Sequence, residues 1–179
     1  ASFGASVSLL AFWHAAGFAP LRVGFRRETT SGLHAAVVVR ALTAASRTAI
    51  ADLRAEVAAD WPVWRAGPLA DLEAETAAAL QRALGVPLNP DPERDLESLR
   101  AFAFAQRPFE LALPALVRWI GVRALPPQTL DPADRDLLAA VATQRADWQR
   151  LCELAGESGR AGVIRRLQRI LRVALAVAA

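Results

Sequence analysis

With 179 residues, 54% of them hydrophobic, the chain is long enough for one large domain or one domain and part of another, and too apolar to be intrinsically disordered. The net charge is only +3 although the sequence pI is about 10.7; every basic residue is Arg and there is no Lys or Tyr, so little titrates below the Arg range and the high pI is no evidence for nucleic-acid binding. A single Cys excludes an internal disulfide, and one Cys with two His offers no metal constellation; both points fit a cytoplasmic protein.

Residues 1–21 carry no formal charge, yet Gly4, Gly17, Pro20 and three Ser interrupt them and no basic segment precedes them. They read as the buried core of an α/β unit rather than as a signal or membrane segment. Ala1 at the start and the absence of Met are expected of a chain whose native start lies elsewhere. Residues 1–4 read as the end of a strand. Ser6 is a plausible cap for a helix over about 7–16, and Gly17 its stop. Leu9, Leu10, Phe12 and Trp13 supply its apolar face, and Phe12, Trp13 and Phe18 are expected to pack in the core. Leu21, Val23 and Phe25 then alternate with Arg22, Gly24 and Arg26, a strand period. Residues 29–32 form a turn, and residues 34–42, with Val37, Val38 and Val39 in a row, predict a strand buried on both faces. A two-strand ribbon is not stable alone. This part is therefore expected to need further sheet, and exposed edges at 1–4 and 34–42 are expected to promote self-association.

Everything after Leu42 reads as helix. Thr43 caps a helix from Ala44 to about Asp60, ended by Pro62. Pro68 opens a second helix with Leu69, Leu72, Leu80 and Leu84 as its stripe and Gly85 as its stop. Asp91-Pro92 opens a third, with Leu96, Leu99, Phe102 and Ala103 at helical spacing. After Pro108 a fourth helix runs to about Ile120. Asp131-Pro132 opens a fifth, to about Leu154, and a last helix spans about 160–177.

Charge is segregated along the chain. From Asp52 to Glu97 ten acids face four Arg, whereas from Ser158 to Ala179 five Arg meet no acid, so the ends are basic and the middle acidic. No Gly-rich phosphate loop is present, and without Lys there is no Walker-type run, so neither ATP nor acetyl-CoA is expected to bind well to the chain alone. Glu73 and Glu75 read as solvated acids and Cys152 as a small buried apolar residue.

Two phrases carry more specific information. The first is Ser2-Phe3-Gly4 followed by Phe12-Trp13, Gly17-Phe18, Arg22, Gly24 and Ser31-Gly32; the second is Phe102-Ala103-Phe104-Ala105-Gln106-Arg107-Pro108. In this order they resemble the C-terminal part of the bacterial tRNA(Met) cytidine acetyltransferases, most strongly over residues 2–42 and 99–120. The resemblance implies an α+β, mostly α chain: the C-terminal half of a GNAT α/β sheet over 1–43, then an all-α helical tRNA-binding tail over 44–179. It implies a parent enzyme that transfers acetyl from acetyl-CoA to the exocyclic amine of the wobble cytidine of elongator tRNA(Met). The resemblance further implies an ATP-using, helicase-like module N-terminal to this region in the parent enzyme, and the fragment alone is expected to be inactive. The family's cofactor contacts near the two ends of the first helix correspond to Ser8 and Ala15, both neutral where the family carries charge. No residue matches a catalytic base, and no metal or membrane partner is implied.

Cytidine chemistry requires the base to leave its stack, and RNA loops are held by Arg on phosphates and by Arg or aromatic rings on bases. The candidates are Arg22, Arg26, Arg27 and His34 on the ribbon, Arg107 beside Pro108, and Arg160, Arg165, Arg166, Arg169 and Arg172 on the last helix. Arg165, Arg169 and Arg172 recur at i, i+4 and i+7 and so share one helical face. Phe102, Phe104 and Phe109 are expected to pack two helices around the Pro turn. A second reading stays open: a non-catalytic helical module that docks onto protein, with its Arg residues in ion pairs.

Overall fold

In the computed structural model, which describes residues 1–122, 130–143 and 147–176, the alternating segment around Val23 pairs with the valine run that follows it. These are β2 (Ala19–Arg27) and β3 (His34–Val39); β1 (Ser2–Gly4) joins the far side of β3, all antiparallel, in the order β1-β3-β2. Phe3 and Val23 both lie opposite Ala36, and Pro20 lies opposite Val38, so these side chains share one face. β3 is therefore the central strand and not an edge, which corrects the expectation for residues 34–42. Nor is it buried on both faces: His34, Ala36 and Val38 are buried while Ala35, Val37 and Val39 are only half-covered. The reason is that Phe3 stacking on Trp13 and His34 bonding Asp71 both occur on the first face.

β1 to β3 belong to a compact unit, Ala1–Pro90, completed by α1 (Val7–Ala15), α2 (Ala44–Ala66) and α3 (Ala74–Leu84). Ser6 caps α1, and Trp13 sits between Phe3 and Phe18, with ring centroids 5.9 and 4.8 Å away. Phe12 does not join them in the core; it is 63% exposed, because α1 is apolar on every side and only Leu10 is buried. Thr43 caps α2 in a reciprocal pair with Ser46. Pro62 does not end α2, which continues to Ala66. An internal Pro costs about 3 kcal/mol, but its neighbours Trp61 and Trp64 are buried, and fully burying one large apolar side chain returns roughly 1.5–3 kcal/mol. The second helix starts at Ala74 rather than Pro68. Glu73 is its cap, accepting from the Glu75 and Thr76 amides at 2.7 Å each. That contact, not solvation alone, holds the Glu73 carboxyl below the usual range. Leu69 and Leu72 are buried from the preceding turn instead of from a helix.

The second unit, Asp91–Ala179, is helical: α4 (Pro92–Ala103), α5 (Phe109–Val122), α6 (Pro132–Thr143), α7 (Trp148–Ala155) and α8 (Arg160–Ala176). α4 packs on both α5 and α8, and α6 and α7 complete the circuit from α5 back to α8. Leu99, Phe102, Leu116, Leu138, Val163 and Leu167 form its buried centre. Asp91-Pro92 opens α4 as expected, with the Asp91 carboxylate on the Glu93 amide at 3.0 Å. The single helix expected from 131 to 154 is instead α6 and α7. Asp147 has extended backbone and caps a fresh start at Trp148, its carboxylate accepting from the Arg150 amide at 2.9 Å. The expected end of the last helix at Val177 lies outside the described residues. No described helix is long and apolar enough to cross a membrane, and the described residues hold no metal-binding group of acids, His and Cys.

Candidate nucleic-acid interface

α8 sorts its arginines by periodicity. Val163, Leu167, Ile170, Leu171, Ala174 and Leu175 are buried, and this apolar stripe turns Arg165, Arg169 and Arg172 out into solvent. Arg165 and Arg169 have no hydrogen-bond or ion-pair partner among the described residues, and Arg172 has only its Nε 3.4 Å from the Gln168 carbonyl. The result is three guanidinium groups along about two turns of one exposed face.

The other two arginines of α8 are committed internally. Arg166 donates through Nε to Asp134 at 2.7 Å and through Nη1 to the Ala155 carbonyl at 2.8 Å. Both charged side chains are less than one-fifth exposed, at 17% and 18%. Arg160 donates to Glu110 and lies over the Trp148 ring, 4.4 Å from its centroid, where cation–π attraction adds to the ion pair. Trp148 in turn meets Phe109 edge-on at 5.5 Å. Arg160 therefore ties the start of α8 to the start of α5 and to α7.

Between α4 and α5 the chain reverses tightly. The Gln106 amide bonds the Ala101 carbonyl at 2.8 Å and the Ala105 amide bonds the Phe102 carbonyl at 3.0 Å, a helix-ending pair that places Ala105 in the left-handed region with φ of 60°. An L side chain there costs about 1–2 kcal/mol. Phe102 and Phe109 do pack, with centroids 5.9 Å apart, but Phe104 does not: it is 65% exposed, which corrects the expectation for that ring. The signal was present in the sequence. Two residues beyond Phe102, at 100° per residue, Phe104 points about 200° away from the buried stripe. Arg107 is exposed on the same turn and has no hydrogen-bond or ion-pair partner among the described residues. One turn inside α4, Arg118 of α5 grips Asp95 through two bonds of 2.7 and 2.6 Å. Nearby Arg94 is held below the usual Arg value, first by partial desolvation and then by the charges of Arg107 and Arg118, which Asp95 and Glu97 offset in part. Sequence reasoning passed over Arg94, because only the fold brings its guanidinium within electrostatic reach of Arg107.

In the first unit, Arg22 and Arg26 are exposed on β2 with no side-chain partner among the described residues. Arg27 is not free in this sense. Its Nε donates to Asp71 at 2.7 Å, its Nη1 to the Gly32 carbonyl at 3.1 Å, and its Nη2 to the Asp71 carbonyl. His34, 3% exposed, lies beneath: Nδ1 is 2.8 Å from the Gly24 carbonyl and Nε2 is 3.0 Å from Asp71. The ring is structural and out of reach of RNA. The Arg27 hydrogen bond lowers the Asp71 carboxyl below its ordinary value, and His34 adds to this against partial desolvation.

Ser8 and Ala15 are both exposed on α1. The Ser8 hydroxyl is 3.3 Å from that of Ser6, and Ala15 offers only a methyl group. Neither side chain carries a charge or an acid–base group, so no chemical step is assigned through acetyl-CoA on these two residues.

A family model for a tRNA-binding domain matches residues 74–179, that is, α3 and the whole second unit. The chain is also homologous to part of several curated proteins called tRNA(Met) cytidine acetyltransferase TmcA. It is 35% identical to that of Nitrosococcus halophilus over 96% of this chain and 24% of the relative. Against the Yersinia pestis protein the figures are 31%, 70% and 17%, and against that of Haloferax volcanii 29%, 92% and 22%. The chain thus spans about a quarter of the length of these relatives or less.

Proposed function

The chain belongs to the tRNA-binding domain family, and from that membership we propose that it binds tRNA as the RNA-holding part of a tRNA cytidine acetyltransferase. The observation that carries the reading is the row of exposed guanidinium groups, Arg165, Arg169 and Arg172, turned outward by the buried stripe of α8 within the matched region. Such a row meets successive phosphates without reading bases, which is how a protein fixes its register on a nucleic acid. Arg107, and Arg22 and Arg26 of the first unit, are further RNA contacts. Arg27, Arg160 and Arg166, each held by a carboxylate, serve chiefly to keep the fold in shape.

In this reading residues 1–43 are the end of a GNAT sheet and residues 44–179 the tRNA-binding tail. The larger enzyme acetylates the exocyclic amine of the wobble cytidine of elongator tRNA(Met). That amine is a weak nucleophile, because its lone pair is delocalised into the ring, so its proton must be removed as it attacks the thioester carbonyl. Acetyl-CoA supplies the acyl group and ATP is used by a helicase-like module. This chain supplies position, holding the anticodon arm so that the base can be presented.

The test is anisotropy of labelled elongator tRNA(Met) against the folded chain at 50 and 200 mM salt. Micromolar or tighter binding that weakens steeply with salt is expected. No binding by a folded sample would overturn the reading and favour the docking module, whose arginines serve in ion pairs.

A further inference from the structure

Phe104 is a large apolar ring held 65% exposed in the second unit, while Phe102 and Phe109 on either side of it are buried. It is held there by the backbone. The two bonds that end α4 and the left-handed Ala105 fix the direction in which the Phe104 Cα–Cβ bond leaves the turn. Three residues on, Arg107 is exposed and has no ion-pair partner among the described residues. Arg118, by contrast, has its charge met by Asp95. One exposed ring and one guanidinium without an ion-pair partner among the described residues thus sit on one turn. The Arg160–Glu110 ion pair places the start of α8 against the start of α5, at the same end of the unit as this turn.

We propose that the α4–α5 turn is a binding site for an unpaired nucleotide, with Phe104 stacking on its base and Arg107 holding the adjoining phosphate. This rests on the tRNA-binding reading and adds what the arginine row of α8 does not supply, a way to tell a single-stranded loop from a duplex. A base offers its face only where it is unpaired or splayed out, and an aromatic ring takes any base.

The test uses the full chain and four proteins: wild type, Phe104→Ala, Phe104→Trp and Arg107→Gln, each checked for an unchanged thermal melt. Binding is read by anisotropy on elongator tRNA(Met) and on a fully paired, blunt-ended RNA stem of two strands without a loop. Phe104→Ala is expected to weaken tRNA binding about tenfold with the salt slope unchanged, and to leave the stem unaffected. Phe104→Trp should bind as wild type. Arg107→Gln should lower the salt slope by about one unit. If Phe104→Ala binds tRNA as wild type does, or loses equally on the stem, the proposal is overturned while the tRNA-binding reading stands. If wild type itself fails to bind tRNA, both fall together.

Discussion

Two substitutions on α8 separate an arginine that meets RNA from one that holds the fold. In the first protein Arg165, Arg169 and Arg172 are all changed to Gln; in the second only Arg166 is. Each phosphate contact on a nucleic acid contributes about 0.7–0.9 to the slope of log affinity against log salt, so three lost contacts remove roughly 2–3 units. At 0.1 M salt, ten times below the 1 M reference, that is about a 100-fold or greater loss of affinity. The fold should not notice, because all three side chains are exposed and make no ion pair among the described residues. Arg166→Gln should do the reverse. It leaves the Asp134 carboxylate, only 18% exposed, without its 2.7 Å partner. That pair lies between an exposed ion pair, worth up to about 1 kcal/mol, and a fully buried one, whose breaking costs about 3–5 kcal/mol. A loss of roughly 1–3 kcal/mol is therefore expected, with tRNA affinity and slope unchanged for the folded fraction. Salt-dependent anisotropy and thermal melting on the same samples decide the matter. A triple variant with wild-type slope, or an Arg166→Gln slope reduced as much per residue as the triple, would refute the division.

Two further substitutions probe the packing. Asp71→Ala leaves the buried His34 Nε2 without its acceptor and should cost about 1–3 kcal/mol, read as faster amide exchange in β3 and α3. The carboxyl of Asp71 titrates below its ordinary value of 3.8 in the folded state. Its stabilising effect is therefore complete above that value and is lost as pH falls through the depressed folded value. Wild type should show this acid loss below about pH 4, and the variant should lack this component; identical acid limbs would count against the assignment. Phe102→Ala removes a fully buried ring packed 5.9 Å from Phe109, for a loss of about 3–5 kcal/mol in the melt.

The features that sequence reading recovered are local ones. Ser6, Thr43, Asp91 and Asp131 were legible as helix starts because a cap is settled by residues two or three positions away. The outward face of Arg165, Arg169 and Arg172 was legible for the same reason, since one helical period decides it. What could not be read depends on distant partners. Nothing near Arg166 or Arg160 announces Asp134, 32 residues away, or Glu110, 50 residues away. Pro62 stopped the reading of α2 because its penalty is local while the burial of Trp61 and Trp64 that offsets it is not. Glu73 as a cap lies outside the usual Ser, Thr, Asp and Asn set, so the start of α3 was placed at Pro68. The centrality of β3 followed from a pairing with β1 across thirty residues, which no periodicity encodes.

That strand order also sets an order of assembly. Of the three described strands the last in sequence is the middle one, so β1 cannot pair with it until residues 35–38 exist. β2 and β3 close across the six residues 28–33, whereas β1 must be carried back across the thirty residues 5–34. A fivefold longer loop costs roughly 1–1.5 kcal/mol more in chain entropy, and β1 brings only three residues to recover it. Among these three strands the hairpin forms first and β1 joins it last, and on opening β1 leaves β3 before β2 does.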